Sequence, residues 1–305
     1  MRIYEYKKDA IPAAPSVIAI GFFDGVHTAH RALIAQAAKR AKELSLPLGI
    51  FTFGSEDGIK SGVARIYTTE QRLSIFESLG VDFCVISRFS DIRGMSAESF
   101  CKSTLIGELG CQTCAVGYNF KFGKGASADA NTLRLIMAEG GAEVIICEEQ
   151  KISGITASSS AIRKMLTDGD MRSAATMLGM PYFAQGYVTH GNGIGGKRLG
   201  VPTLNIDFAQ NALIPRLGVY TASVEVDSKV LPAVLNLGAC PTCGERKIHI
   251  EVHIFDFSED LYGKFVKVNF LSFLRDEKRF SSEEELKKQI KADILAAIEE
   301  NRGAK

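Results

Sequence analysis

The patterning of the chain changes character at "MPYFAQG" (180–186), and one regular fold does not accommodate both sides of that change. Before it, apolar stretches of strand composition alternate with stretches of helical periodicity. The strand-like ones are "SVIAI", "LPLGIFTF", "VDFCVIS", "CAVGYNF" and "AEVIICEE"; the helical ones are "HRALIAQAAKRAKEL", "TTEQRLSIFESLG", "SAESFCKSTLIGELG" and "ADANTLRLIMAEGG". Such alternation predicts a parallel sheet with right-handed crossovers and helices on its faces. In the first helix Leu33, Ile34, Ala37, Ala38, Ala41 and Leu44 fall on one stripe. Gly80 and Gly140 stand where the helices at 70–79 and 131–138 should stop.

"SSSAIRKMLTDGDMRSAATMLG" reads as two short helices, after which the apolar segments shorten and Gly, Pro and Asn separate them. "YVTHG", "GVPTLNID", "GVYTASVEV", "KVLPAVLNLG", "HIEVHIFDF" and "KFVKVNFLSFL" form an all-β array of a size that suits a small barrel or sandwich. A final helix opens with the capping box Ser282-x-x-Glu285 and carries Leu286, Ile290, Ile294 and Ile298 on one face. The division predicted is a domain at 1–183 and a second at 184–305.

The formal charge of +1 points to no nucleic-acid or membrane-surface partner, although it leaves room for a local basic patch. "MRIYEYKKDAIPAAP" lacks the apolar core of a signal peptide, and no apolar run reaches the roughly 18 residues that span a bilayer. The expectation is a cytoplasmic protein with small-molecule partners. Its seven cysteines include C-x-x-C pairs at Cys111/Cys114 and Cys240/Cys243, with no histidine at finger spacing. Reduced, packed thiols are the expected reading ahead of zinc ligands.

"GFFDGVHTAH" (21–30) ends a buried strand and opens a helix. Asp24-Gly25 predicts a tight turn, and the helix start presents unpaired N–H groups with a positive dipole end, a natural phosphate site. His27 and His30, three apart, should share one side of the helix. H-x-x-H alone is weak and often mere packing, but its position after a buried strand favours phosphate. A zinc-protease pattern would need histidines four apart with an adjacent Glu. "GNGIGGK" fits both a dinucleotide fingerprint and a P-loop by spacing. Strand composition follows it, though, and Arg198 stands where a P-loop needs Ser or Thr, so a glycine loop whose amides meet phosphates is what survives.

"GFFDGVHTAHRALI" resembles the G-x-F-D-G-x-H-x-G-H signature of nucleotidyltransferases in the form used by prokaryotic FAD synthetases. "SSSAIRKML" is similar to their Ser-Ser-Thr-x-Ile-Arg motif, and "VGYNFKFGKGASAD" to their V-G-x-D-F-x-F-G segment. "GYVTHGNGIGGKRLGVPTLNI", "GVYTASV", "LNLGACPT", "HIEVHIFDFSEDLYGK" and "FLRDEKRF" match riboflavin kinases in order. Over nearly its whole length the chain resembles the bifunctional riboflavin kinase/FAD synthetase (FMN adenylyltransferase) family. The fold implied is an α/β nucleotidyltransferase (Rossmann-like, parallel-sheet) domain followed by an all-β riboflavin-kinase barrel with a C-terminal helix.

The resemblance implies phosphorylation of riboflavin to FMN with Mg-ATP and adenylylation of FMN to FAD by a second ATP, with ADP and pyrophosphate as by-products. Mg²⁺ would arrive with ATP, and no permanently bound cofactor is required. His27, His30 and Arg163 would stabilise charge on the phosphates, with Gly21, Phe23, Asp24, Gly25, Ser159 and Ser160 around them. Asn119 would lie near the nucleotide or flavin. In the second half Glu251 would be the general base, Thr203 and Asn205 the magnesium ligands, and Gly191, Gly193, Gly196 and Lys197 the phosphate loop. Arg275 would mark the flavin end. Without the family, Glu251, Thr203 and Asn205 would pass for ordinary polar strand residues.

The chain departs from the family at Ala29 (for glycine), at Asn119 (for the acid) and at "TFGSEDG", where Pro-His-Pro is usual. Glu56 and Asp57 there predict a carboxylate pair near the phosphates. A riboflavin kinase with a degenerate first domain and a flavin- or nucleotide-sensing module are the alternative readings.

Overall fold

The alternating half forms one six-stranded sheet, all of whose pairings are parallel. Its strands are β1 (Arg2–Glu5), β2 (Ser16–Ile20), β3 (Leu48–Phe53), β4 (Phe83–Ser87), β5 (Cys111–Gly117) and β6 (Glu143–Cys147), in the order β1-β4-β3-β2-β5-β6. The structure is a computed structural model that describes all residues except 55–63, 153, 190–201, 210–211, 240–247, 258 and 304–305. The chain divides into two compact units, Met1–Ser159 and Ser160–Lys305.

In the first unit β2 and β3 are buried along their whole length, as strands covered on both faces must be. The three longer α-helices are α1 (Thr28–Leu44), α2 (Thr69–Ser78) and α3 (Ala130–Glu139). Thr68 and Gln71 close a reciprocal capping box on α2, and Asp129 caps α3 through the Thr132 N–H at 2.9 Å. The stripe on α1 buries Leu33, Ile34, Ala37 and Ala41, but Leu44 is 37 % exposed because the helix ends there. After α3 it is Gly141, at φ +77°, that takes the left-handed conformation; Gly140 has an ordinary φ of −88°.

Two elements differ from the sequence expectation. The segment 96–110 is a short helical turn followed by a π-helix, Phe100–Glu108, whose wider turn brings Phe100, Cys101, Thr104 and Leu105 into the core together. β1 had no apolar signal because it is a four-residue edge strand with Ile3 half exposed. Cys84, Cys101, Cys111, Cys114 and Cys147 are free and buried. Burial pushes the Cys84 and Cys101 thiols up to about 12, which leaves them unreactive.

The boundary falls after the first residue of α4 (Ser159–Asp168), which α5 (Met171–Leu178) follows in the second unit. A closed antiparallel barrel follows, made of β7 (Tyr182–Thr189), β8 (Leu204–Asp207), β9 (Gly218–Val226), β10 (Lys229–Ala239), β11 (Ile248–Ile254) and β12 (Phe265–Arg275). Its order is β7-β8-β11-β10-β9-β12, so the array is a barrel and not a sandwich. Tyr182, Tyr220 and Phe270 fill the interior with edge-to-face rings 5.4 and 5.1 Å apart. α5 packs against β7 and β12, and the Arg216 N–H donates to the Leu166 carbonyl of α4 at 3.0 Å.

The last helix, α6 (Glu283–Gly303), lays Ile294, Ala297 and Ile298 against Val219, Val234 and Phe255. Ser282 caps it through the Glu285 N–H at 3.2 Å. The return arm of the expected box is displaced by one residue: the Glu285 carboxylate accepts from the Ser281 N–H and hydroxyl at 3.0 and 2.8 Å.

Candidate active site

The chain leaves β2 at Gly21, whose N–H donates to the Phe51 carbonyl at 3.2 Å, and then turns sharply. The left-handed positions of the turn are Phe23 (φ 49°) and Val26 (φ 41°), not Gly25. A β-branched residue in that region is strained, so the surroundings must hold it. They do. The Val26 N–H donates to the Phe23 carbonyl at 3.2 Å, and the Asp24 carboxylate accepts the Ile66 N–H at 3.1 Å. The fully buried Phe23 ring meets Phe76 edge-on at 5.7 Å and His30 at 5.1 Å.

His27 is the N-cap of α1 and makes no side-chain capping bond; its carbonyl accepts the Arg31 N–H at 2.8 Å. One helical turn on, the His30 ring stacks on it, with centroids 3.7 Å apart and 17° between planes. Both Nδ1 atoms are buried and have no partner among the described residues. Burial pulls His27 down to about 4. His30 lies well below its usual range through burial first, then the nearby His27 and Arg72. Both rings are therefore neutral near pH 7, and each still carries one N–H donor.

These rings face a cavity of about 500 Å³ at the carboxyl ends of the strands, where ligands of such sheets bind. One wall is aromatic. Phe22 lies 4.5 Å from Phe53, Phe89 is 5.8 Å from Phe53, and Phe120 stacks on Phe122 at 5.5 Å. Another part of the lining is polar: the Thr156 and Tyr118 hydroxyls donate to Glu149 at 3.0 and 3.1 Å and hold its carboxyl below the usual range. Gly21, Phe23, His27, His30, Asn119 and Ser159 all line this cavity. Asn119 sits exposed in a turn closed by the Phe120 N–H on the Gly117 carbonyl at 3.0 Å. Asp24 and Gly25 are buried and do not line it; Ser160 and Arg163 follow on α4, in the second unit.

In the barrel, strand register assembles a polar row. Glu251 pairs with Asn205 of β8 on one side and Asn236 of β10 on the other, and Asn205 pairs with Thr189 of β7. Neighbours so paired share a face within roughly 4.5–5.5 Å between Cβ atoms. Ile250, Val252 and Ile254 are buried while Glu251 is exposed, as the period of two predicts. The row puts carboxylate and amide oxygens side by side, and Thr203 stands two residues before Asn205 along the chain. A His253 ring nitrogen lies 2.9 Å from the Pro202 carbonyl and anchors the approach to Thr203. The Arg275 guanidinium is occupied by Asp293 of α6, from Nε at 2.9 Å and Nη2 at 2.6 Å. Gly191, Gly193, Gly196, Lys197, Glu56, Asp57 and the Cys240/Cys243 pair lie outside the described residues.

Sequence reasoning missed the aromatic wall, because its rings come from four separated segments. It also missed Asn236, which becomes Glu251's neighbour only through the register of β10 on β11. The doubled Phe22-Phe23 after a buried strand was the one available signal for the wall.

Comparison with known proteins bears on both halves. Residues 10–161 match the family model described as FAD synthetase, and residues 178–300 that described as riboflavin kinase. The chain is 35 % identical over 287 residues to the bifunctional riboflavin kinase/FMN adenylyltransferase of Pseudomonas fluorescens, covering 92 % of this chain and 91 % of that one. It is 32 % identical over 294 residues to the protein so named from Bacillus subtilis (strain 168), covering 93 % and 92 %. Among solved structures, one from Streptococcus pneumoniae, named a macrolide-efflux protein, superposes with a TM-score of 0.85 and 29 % identity over 97 % of this chain and 99 % of its own. That likeness carries the fold and not the activity in the name. Among the described residues no helix is long and apolar enough to cross a membrane.

Proposed function

The chain belongs to the family of bifunctional riboflavin kinases/FMN adenylyltransferases, and on that premise we propose how its residues carry the two steps. It phosphorylates riboflavin to FMN with ATP, and it adenylylates FMN to FAD with a second ATP, releasing pyrophosphate.

The observation that carries the adenylyl-transfer assignment is the stacked, neutral pair His27–His30 at the first turn of α1, open to the cavity. ATP lays its phosphates on that turn, where backbone N–H groups and the helix dipole already favour an anion. As the FMN phosphate oxygen attacks the α-phosphorus, charge builds on the phosphoryl oxygens and on the departing pyrophosphate. Imidazole N–H donors fixed beforehand stabilise that charge without reorganising. Gly21, Phe23 and Ser159 line the cradle, Asp24 and Gly25 serve it by forming the turn, and Ser160 and Arg163 are assigned to the same phosphates by the resemblance alone. The aromatic wall suits a flat flavin ring, with Asn119 beside it.

In the barrel Glu251 takes the proton from the ribityl hydroxyl as that oxygen attacks the γ-phosphorus. Both steps use ATP with a divalent metal, which we take to be Mg²⁺. The hard oxygens of Thr203 and Asn205 fit it, and when bound it supplies neutralisation of the β- and γ-phosphate charge. Gly191, Gly193, Gly196 and Lys197 are assigned to those phosphates by resemblance. Arg275 bounds the flavin end by fixing α6 to β12. The division of labour falls at residue 184, and the free, buried thiols suit the reducing cytoplasm.

Incubation with riboflavin, ATP and Mg²⁺, followed by chromatography of the flavins, tests the whole reading. FAD is the expected product; FMN alone would leave only the kinase, and unchanged riboflavin would leave neither activity.

A further inference from the structure

Beneath the turn that carries His27 lies a cation that the sequence motifs do not include. Arg72 of α2 is 1 % exposed. Among the described residues its guanidinium makes four hydrogen bonds, all to uncharged oxygens: the Phe22 carbonyl at 2.8 Å, the Phe53 carbonyl at 2.7 Å, and the Thr52 and Thr69 hydroxyls at 3.2 Å each. Thr52 also donates to the Phe22 carbonyl, at 3.2 Å. Phe22 and Phe53 are the residues at which β2 and β3 deliver the chain to the cavity, and both line it.

A buried guanidinium is costly to desolvate, and packing alone could be met by an apolar side chain. Around Arg72 stand Arg65, Asp24, Cys84 and, on its own helix, Glu70; burial and then Arg65 pull its pKa down to about 10, which leaves it charged at neutral pH. The groups bearing on His30 are His27 and Arg72.

We propose that Arg72 is a positioning residue for adenylyl transfer: it clamps the carbonyl ends of β2 and β3 under the cavity and so sets the turn on which His27 and His30 meet the phosphates. The proposal rests on the reading of those histidines as phosphate donors. Two strained residues, Phe23 and Val26, follow the clamped Phe22 carbonyl, and the clamp is what keeps that strain from relaxing. A displacement of about 1 Å in such a turn is enough to cost roughly 10²-fold in rate.

The test uses the full chain with Arg72→Met and Arg72→Lys, alongside His27→Ala and His30→Ala. Arg72→Met is expected to lower kcat for FAD formation by roughly 10²-fold, with KM for FMN within about threefold and riboflavin phosphorylation unchanged. Arg72→Lys, which keeps the charge and one clamp, should regain about tenfold of that loss. Imidazole NMR titration supplies a readout that simple destabilisation would not reproduce. In Arg72→Met the His30 midpoint should rise while staying below 6.5, and His27 should remain near 4. The proposal is overturned by a wild-type FAD rate in Arg72→Met. It is equally overturned if both imidazoles titrate near 6.5 and Lys rescues nothing, since Arg72 would then only hold the fold. Wild-type FAD formation by the His27→Ala and His30→Ala chains would instead sink the histidine reading on which the proposal stands.

Discussion

The imidazole of His27 lies flat against that of His30, centroids 3.7 Å apart, with both Nδ1 atoms buried and unpartnered among the described residues. Two rings so placed cannot both be charged cheaply, so the pair works as neutral donors. His27→Ala is therefore expected to cut FAD formation by roughly 10²–10³-fold, the usual loss for one oxyanion donor, and to leave FMN formation intact. Separate assays of the two products check this. Equal loss in both would mean that the substitution disturbs more than the phosphate turn.

The same burial makes stability depend on pH. The folded His27 titrates near 4 and the unfolded one near 6.5, so between those values the unfolded chain binds more protons. Stability therefore falls as pH drops from 6.5 towards 4 and levels off below, by on the order of 3 kcal/mol for a shift of that size. Urea unfolding of the wild type at about pH 7.5 and 5, above the range where most carboxylates titrate, should show roughly 2 kcal/mol of that loss, since at pH 5 the folded His27 is still mostly neutral. His27→Ala should reduce it, and an identical pH dependence in the variant would exclude His27 as its source.

Glu251 stands between Asn205 and Asn236 with no apolar neighbour in its row, as a base that must reach substrate should. Glu251→Gln keeps its shape and is expected to lower FMN formation by roughly 10²–10⁴-fold with little change in ATP affinity. Fluorescence-detected ATP binding beside steady-state rates separates the two effects. An unimpaired variant would take the base assignment elsewhere.

A fragment spanning 160–305 should fold and phosphorylate riboflavin, because α4 and α5 belong to the same compact unit as the barrel. One starting at 184 loses Tyr182 and Phe183, 0 % and 1 % exposed, along with both helices. Deleting such side chains costs about 3–5 kcal/mol each, so the shorter fragment should melt at distinctly lower temperature. Circular dichroism melts of the two fragments decide it.

What could be read from the chain depended on whether the information was local. The strand–turn–helix around His27 was legible, since β2 is an unbroken apolar run and α1 has a regular stripe. The fine structure of that turn was not: glycine invites the left-handed positions, yet tertiary packing gave them to Phe23 and Val26. Arg72, in "TTEQRLS", carries no local signal of burial, and only the fold turns it inward. Glu251 announced its polar face by the period of two, whereas its partnership with Asn236 needed the register of a third strand. The π-helix at Phe100–Glu108 left no trace, because its apolar spacing resembles an α-helix over so short a span.

The alternation along β11 has a consequence for how this half can change over generations. Glu251 faces outward from the apolar wall only because an even count separates it from its outward neighbours His249 and His253. Substitutions along the strand keep that parity; loss or gain of one residue reverses it, burying the carboxylate and turning out Ile250 and Val252. Length variation in this family should therefore accumulate between strands and be nearly absent within β11.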